Sequence, residues 1–177
     1  MFPNPLYSAV LDSLSTQKGI EVHLEHDLVK IEGRHAHFRA STGETIAYEY
    51  DFLHILPSRT PPGFLQPIAA ANGFVDVDKH TLRHARYGNV FALGDAANLP
   101  TIRSAGATLT QAPVVVHNLV RAMDGEPCSA SYDGYTTCHI YTGGDKALLI
   151  ELRYGNEAAE TFSRKWQQRP SKLVYQF

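Results

Sequence analysis

The chain has 177 residues, of which 44% are hydrophobic and 19% charged, the composition of an ordinary globular protein. Its net charge of -2 provides no basic surface of the kind that binds nucleic acid. The sequence contains no apolar run near the roughly 18 residues that span a bilayer, and its first residues lack a secretory signal, so we expect a cytoplasmic or peripheral membrane protein. Two cysteines without a secretory signal argue against a disulfide framework, and the nine histidines match no zinc spacing, so no metal site is predicted.

The first third of the chain predicts one helix followed by strands. Apolar residues recur at helical spacing over residues 6–18, and Lys18 and Gly19 are typical of a helix end. A hairpin turn is predicted at Gly33. The predicted strands cover residues 20–24, 27–32, 35–40, 44–50 and 51–56. This order is typical of the last part of a nucleotide-binding α/β domain.

The remaining two thirds predict fewer regular elements. Prolines between residues 57 and 67 indicate an irregular crossing segment. Residues 105–123 predict a helix that Pro113 should kink or break. Residues 147–154 predict a strand, and residues 162–177 are basic and aromatic.

Residues 89–98 are the most informative stretch. Residues 90–93 predict a short buried strand, followed by Gly94, Asp95 and the start of a helix. In open α/β sheets, ligands bind outside the carboxyl ends of strands, where a carboxylate can accept hydrogen bonds from sugar or ribityl hydroxyls. A helix start there also attracts an anionic group. The simpler interpretation is a buried strand that ends in a helix-capping aspartate.

The pattern at Gly94 and Asp95 resembles the second flavin-contacting motif of flavoproteins with two dinucleotide-binding domains. Such proteins normally open with a Gly-x-Gly-x-x-Gly turn, which this sequence lacks. We therefore expect the chain to be the C-terminal part of a longer protein.

From residue 74 to residue 154 the chain resembles the sulfide:quinone oxidoreductase family. Residues 75–82 and 87–95 match in order and spacing. The most specific strings are Asn98-Leu99-Pro100-Thr101 and Tyr132-Asp133-Gly134-Tyr135-Thr136-Thr137-Cys138.

The resemblance implies an FAD cofactor, with sulfide and a quinone as substrates. It assigns Gly94, Asp95, Asn98 and Arg103 to FAD, with Asp95 on the ribityl chain and Arg103 where relatives carry lysine. Cys138 matches the second of two redox cysteines. We expect this thiol in an accessible Gly/Thr-rich loop, where the neighbouring histidine would lower its pKa.

The resemblance also implies what the chain lacks. Cys128 matches no family cysteine, and the first redox cysteine lies upstream in the family. We therefore expect the isolated chain to be inactive, to bind FAD weakly or not at all, and to self-associate through open apolar surfaces. The full-length protein is expected to contact a membrane peripherally.

The implied fold is α/β, as the C-terminal part of a two-dinucleotide-binding-domain flavoprotein with a small C-terminal subdomain. Residues 1–66 would end the second nucleotide-binding domain, 67–127 would return to the FAD-binding domain, and 128–177 would carry the redox cysteine on the quinone side. The alternatives are a type II NADH:quinone dehydrogenase, a flavocytochrome sulfide dehydrogenase, or a non-catalytic interaction domain. Hydrolases are excluded, since the sequence has no Gly-x-Ser-x-Gly elbow and no Walker loop.

Overall fold

The structure is a computed structural model that describes residues 2–176, with the side chains of Arg164 and Lys165 outside the description. Those two side chains and Phe177 belong to the basic and aromatic segment of residues 162–177, so that part of the sequence prediction lies outside the described residues.

The described residues combine α-helices with antiparallel strands, which confirms the predicted mixture of the two. Short 3-10 turns cover Gly63–Ile68, Gly94–Ala96 and Tyr154–Asn156. The helices and strands follow the order α1 (Pro5–Gln17), β1 (His26–Glu32), β2 (His35–Ala40), β3 (Thr45–Glu49), α2 (Ala105–Met123), β4 (Thr136–Tyr141), β5 (Ala147–Leu152), α3 (Arg164–Gln167) and α4 (Lys172–Tyr175).

The described chain divides into two compact units. One unit is Leu11–Arg59, and the other combines Phe2–Val10 with the chain from Thr60 onward. The predicted three-part division at residues 66 and 127 stays a prediction.

The unit of residues 11–59 is built on a three-stranded antiparallel sheet in the order β1-β2-β3. Gly33, with φ +57, forms the predicted tight turn between β1 and β2. The ladder runs from His26 opposite Ala40 to Glu32 opposite His35, with a bulge between Leu28 and Lys30. The three strands therefore lie where the alternating pattern predicts them.

Two further strands predicted in this unit, at residues 20–24 and 51–56, are wrong. Neither segment belongs to a sheet among the described residues, and Leu24 and Leu56 are exposed. An alternating apolar pattern predicts which face of a strand is buried, whereas a strand itself forms only when a neighbouring backbone pairs with it.

The predicted strand at residues 90–93 is also wrong. Phe91 makes a single isolated bridge with Arg83, and the Ala92 amide donates to the Leu82 carbonyl at 3.2 Å. The segment then turns directly into the 3-10 helix that begins at Gly94. The apolar residues of this segment therefore pack in the core, as their composition indicates, but the segment does not pair with a neighbouring strand to form a sheet.

The second unit has a core of two apolar clusters that share Leu99. One cluster joins Val75, Val77, Ala92 and Ala97, and the other joins Leu82, Val115 and Tyr132. Helix α2 has the predicted ends and continues through Pro113 without interruption. The hairpin of β4 and β5 packs against this helix. The predicted strand at residues 147–154 is confirmed as β5.

Candidate functional site

The first two turns of helix α2 organise the candidate site. Ser104 caps the helix, because its hydroxyl accepts a hydrogen bond from the Ala107 amide at 3.0 Å. The same Ser104 hydroxyl lies 2.8 Å from the Thr136 hydroxyl at the start of β4. Thr136 also donates to the Ile102 carbonyl at 3.0 Å. Strand β4 is thereby fixed to the positive end of the helix.

Gly94 attaches the flavin-motif segment to the same two turns. Its φ of +62 lies in the left-handed region that favours glycine. Its amide donates to the Gln111 side chain at 2.7 Å, and a Cβ added at Gly94 would lie 3.0 Å from the Thr108 hydroxyl. Both the backbone angle and the close approach to α2 therefore require glycine here.

Asp95 and Asn98 follow on the turn after Gly94. Asp95 is exposed in the first turn of the 3-10 helix. The Asn98 amide donates to the Val75 carbonyl at 2.9 Å, and its side-chain oxygen accepts from Asn72 at 2.7 Å. Asn98 thus anchors the segment that presents the Asp95 carboxylate.

Arg103 lies directly before the helix cap Ser104, and one of its guanidinium nitrogens makes no hydrogen bond within the described residues. Its guanidinium lies 4.0 Å from the centre of the Phe74 ring, and one terminal nitrogen donates to the Ala97 carbonyl at 3.4 Å. The Arg103 Nε atom is buried and has no hydrogen-bond partner in the described part of the chain. A buried cationic donor beside a helix N-terminus fits an anionic group such as a phosphate or a reduced flavin ring.

The Tyr-Asp-Gly-Tyr string forms a tight turn that leads into β4. The Tyr132 hydroxyl donates to the Tyr135 carbonyl at 2.6 Å, and the Asp133 carboxylate accepts from the Tyr135 amide at 3.0 Å. Gly134 has a φ of +86, and a Cβ there would lie 2.3 Å from the Tyr154 ring. Each residue of the Tyr-Asp-Gly-Tyr motif therefore takes part in forming the turn, which gives a structural reason for this combination of residues.

Cys138 lies in the middle of β4, opposite Ile150 of β5, and not in the expected loop. It is half-buried, and burial raises the pKa of its thiol, so the expectation of a lowered pKa is wrong. The neighbouring His139 is exposed, and side chains alternate along a strand, so the imidazole lies on the opposite face of the hairpin. Cys128 and Cys138 are both free thiols.

The segment of Gly94 and the strand of Cys138 meet on one stretch of helix. Thr137, the neighbour of Cys138, packs so closely on α2 that a Cβ added at Gly106 would lie 2.1 Å from its methyl group. Residues 104–111 therefore contact both elements. That Gly94, Asp95 and Cys138 face one cleft stays a prediction.

Sequence reasoning missed Glu151, a buried carboxylate in β5 that pairs with Thr137. It accepts hydrogen bonds from the Thr161 amide at 2.8 Å, the Thr161 hydroxyl at 2.7 Å, Gln167 at 2.6 Å and the Tyr135 hydroxyl. Burial raises the pKa of Glu151, but the four donors outweigh it and hold the pKa below its ordinary value. Burial and the Glu151 carboxylate together raise the pKa of Tyr135 to about 12. The sequence did contain a signal for Glu151, because it is the one acidic residue in the otherwise apolar strand β5.

The described residues form neither a metal-ligand group nor a membrane-spanning helix. Across the described chain, no group of three or more His, Cys, Asp or Glu side chains is arranged to hold a metal ion. None of the described helices combines the length and apolar character needed to cross a membrane.

The chain matches no protein-family model. A mitochondrial sulfide:quinone oxidoreductase of Dictyostelium discoideum is 42% identical over 166 residues, which are 91% of this chain and 36% of that protein. The mitochondrial sulfide:quinone oxidoreductase of Mus musculus is 34% identical, over 88% of this chain and 36% of that protein.

Two solved structures share the fold. A chain in the structure of the Tetrahymena thermophila mitochondrial ATP synthase has a TM-score of 0.83 and 29% identity, and the match covers 99% of this chain and 43% of that chain. The sulfide:quinone oxidoreductase of Aquifex aeolicus has a TM-score of 0.74 over 95% of this chain and 41% of its own, and at 16% identity it shows the fold alone. The chain spans 36% of the length of the two curated relatives above. Over 91% and 88% of its length, respectively, the chain is therefore homologous to these two sulfide:quinone oxidoreductases.

Proposed function

We propose that this chain supplies the C-terminal part of a flavoprotein that oxidises sulfide and passes electrons through FAD to a quinone. The observation that carries the proposal is the meeting of the Gly94 segment and the Cys138 strand on the first two turns of helix α2. The homology to sulfide:quinone oxidoreductases supports the reaction class. The same homology favours sulfide oxidation over the NADH oxidation of a type II NADH:quinone dehydrogenase.

Four residues of this chain would hold the FAD. Gly94 lets the backbone approach the cofactor, Asp95 accepts hydrogen bonds from ribityl hydroxyls, and Asn98 anchors their segment. The buried unpaired donor of Arg103 would bind a phosphate or the anionic reduced ring. When bound, FAD supplies the two-electron chemistry that links sulfur oxidation to quinone reduction.

Cys138 would share a disulfide with a second cysteine from outside this chain. Hydrosulfide attacks one sulfur of that disulfide, a new S–S bond forms, and the other cysteine leaves as a thiolate. No external oxidant is needed for this exchange, because the disulfide is reduced as the persulfide forms. Burial raises the pKa of the Cys138 thiol, which makes its thiolate a poorer leaving group than that of an ordinary cysteine. Without the second cysteine, the isolated chain is inactive.

A chimera tests the proposal. This chain replaces the matching 166 residues of the Dictyostelium relative, and the purified chimera is assayed for bound FAD and for sulfide-dependent quinone reduction. Cys138→Ser should abolish sulfide oxidation while flavin absorbance is retained. Cys128→Ser is the matched control, since Cys128 is also a half-buried free thiol, and should keep the activity. Full activity of the Cys138→Ser chimera would refute the redox assignment.

A non-catalytic role in an assembly is the second candidate. The similarity to a chain in a mitochondrial ATP synthase structure favours it, as does a Cys138 thiol that is half-buried with a raised pKa. In that case the chimera binds no FAD, and Cys138→Ser and Cys128→Ser behave alike.

Two further properties belong to the proposal. The whole protein contacts a membrane peripherally, where its quinone is dissolved. The isolated chain self-associates, because exposed apolar side chains such as Leu56 and Leu109 favour contact with other apolar surfaces. Sedimentation of the isolated chain at rising concentration measures this self-association.

A further inference from the structure

The Tyr132 hydroxyl is buried where three segments of the second unit meet. Tyr132 is 2% exposed, and its hydroxyl donates to the Tyr135 carbonyl at 2.6 Å. Burial raises the pKa of Tyr132, and hydrogen bonding with the side chains of Gln111, Thr101 and Thr110 offsets part of that rise. The hydroxyl is therefore surrounded by polar side chains from helix α2 and from the segment before it.

Gln111 connects this hydroxyl to the segment assigned to FAD. The Gln111 side chain is buried, and its oxygen accepts a hydrogen bond from the Gly94 amide at 2.7 Å. The Tyr132 hydroxyl gives its own proton to the Tyr135 carbonyl, so it serves Gln111 as an acceptor for the side-chain NH₂ group. A buried polar network whose members are all paired holds them in one arrangement.

The turn on the other side of the hydroxyl leads directly into strand β4. Tyr135 precedes this strand, and Cys138 is its third residue. The Thr110 hydroxyl lies 3.4 Å from the Tyr135 carbonyl, and the Thr101 hydroxyl donates to the Gly134 carbonyl at 2.9 Å. The start of β4 is therefore bonded to the same two segments that surround the buried hydroxyl.

We propose that Tyr132 and Gln111 are positioning residues that hold strand β4, with Cys138, at a fixed distance from the FAD-contacting turn at Gly94. This proposal rests on the proposed function, in which the sulfur chemistry at Cys138 passes electrons to FAD. Reaction rates fall by as much as about 100-fold when reacting groups are displaced by about 1 Å. Because the Tyr132 hydroxyl is buried, it acts through the backbone of the turn and not on a substrate.

The chimera with the Dictyostelium relative tests this role in its two half-reactions. Tyr132→Phe removes the hydroxyl and keeps the ring in the core. We expect this variant to bind FAD as the parent chimera does, and to reduce the flavin with sulfide more slowly by on the order of ten-fold. Reoxidation of dithionite-reduced flavin by a soluble ubiquinone analogue should be unchanged. Tyr7→Phe is the matched control, because Tyr7 is also a buried tyrosine whose hydroxyl donates one hydrogen bond, to Glu160 at 3.0 Å. Both of its rates should equal those of the parent.

The outcomes separate positioning from support of the fold. A purely structural role would lower the urea midpoint of both phenylalanine variants without separating the two half-reactions. Equal sulfide-dependent rates for Tyr132→Phe and Tyr7→Phe would overturn the proposal, and so would an equal slowing of both half-reactions by Tyr132→Phe. Sulfide oxidation by the Cys138→Ser chimera would instead refute the proposed function, and the positioning role would fall with it.

A double-variant cycle in the isolated chain tests the contact without any chemistry. Gln111→Met keeps the length of the side chain but removes its amide group. The losses of unfolding free energy caused by Gln111→Met and Tyr132→Phe should be non-additive, because the two side chains belong to one network. The losses caused by Gln111→Met and Tyr7→Phe should add. Additive losses for the first pair would overturn the proposal. A non-additive first pair together with an active Cys138→Ser chimera would show that the redox assignment has failed and not the contact.

Discussion

The Glu151 carboxylate gives the most direct test of the site's architecture. Its Oε2 atom accepts from two N–H donors, the Thr161 amide and the Gln167 side chain, whereas Oε1 accepts from the hydroxyls of Thr161 and Tyr135. A hydroxyl can turn and accept a hydrogen bond instead, but an N–H group cannot. A replacement side chain must therefore supply an acceptor at the position of Oε2, whereas the position of Oε1 can hold either an acceptor or a donor.

Glu151→Gln should cost little stability, and Glu151→Leu should cost much. The glutamine oxygen can face the two N–H donors while its NH₂ group donates to the two hydroxyls, so the loss is about 1 kcal/mol for a weaker, uncharged acceptor. Leucine leaves the buried Gln167 N–H group without an acceptor, at about 1–3 kcal/mol, and removes the acceptor of the Thr161 amide, whose residue is exposed, so we expect a loss of about 2–4 kcal/mol.

Urea unfolding measures these differences, followed by far-UV circular dichroism and by the fluorescence of Trp166, the one tryptophan of the chain. Glu157→Gln, the same change at an exposed glutamate, is the control and should cost nothing measurable. Equal losses for the glutamine and leucine variants would refute the assignment of donors.

The same carboxylate predicts a pH dependence. The folded-state pKa of Glu151 lies below its ordinary value, so its stabilising effect is complete above the unfolded-state pKa of about 4.3 and is lost as the pH falls through the folded value. The parent chain should therefore lose more stability than Glu151→Gln when the pH is lowered from about 5 to about 3. Parallel pH profiles would contradict the lowered pKa.

Three further predictions concern single residues. Gly94→Ala should destabilise the chain by about 1–3 kcal/mol more than Gly33→Ala, because both have positive φ but only Gly94 has a neighbour within 4 Å; equal urea midpoints would contradict this. The alkylation rate of Cys138 should rise with a midpoint above pH 8.5, the ordinary pKa of a thiol, because burial raises its pKa; a midpoint near pH 7 would contradict the buried strand position. Asn118→Ala should cost about 3 kcal/mol or more, since four buried hydrogen bonds are lost, and a melting curve like that of the parent would contradict that packing.

Helix α2 was predictable because its signals are local. The apolar pattern covers residues 105–123, and Gly125 follows with the positive φ typical of a helix end. The hairpin turn at Gly33 was predictable for the same reason. In each case, residues within one or two turns decide the structure.

The surroundings of Cys138 were not predictable, because they depend on distant residues. Residues 136–141 contain two threonines and an isoleucine, a composition that favours a strand, but the pairing with β5 that buries the thiol comes from residues ten or more positions away. Glu151 is a similar case, since its donors Tyr135 and Gln167 lie sixteen positions before and after it. The candidate FAD residues were found through family motifs, whereas the unpaired Arg103 donor beside them became visible only in three dimensions.

The shared attachment of two segments to residues 104–111 has a consequence for how this part of the protein can change during evolution. One residue inserted within that stretch would rotate everything beyond it by about 100° around the helix axis. Thr108 and Gln111, which contact Gly94, would then be turned away from it. Ser104 precedes the insertion and would keep its contact with Thr136 of β4. Insertions and deletions are therefore expected in surface connections such as residues 142–146. The number of residues between Gly94 and Gln111 should stay constant among related sequences.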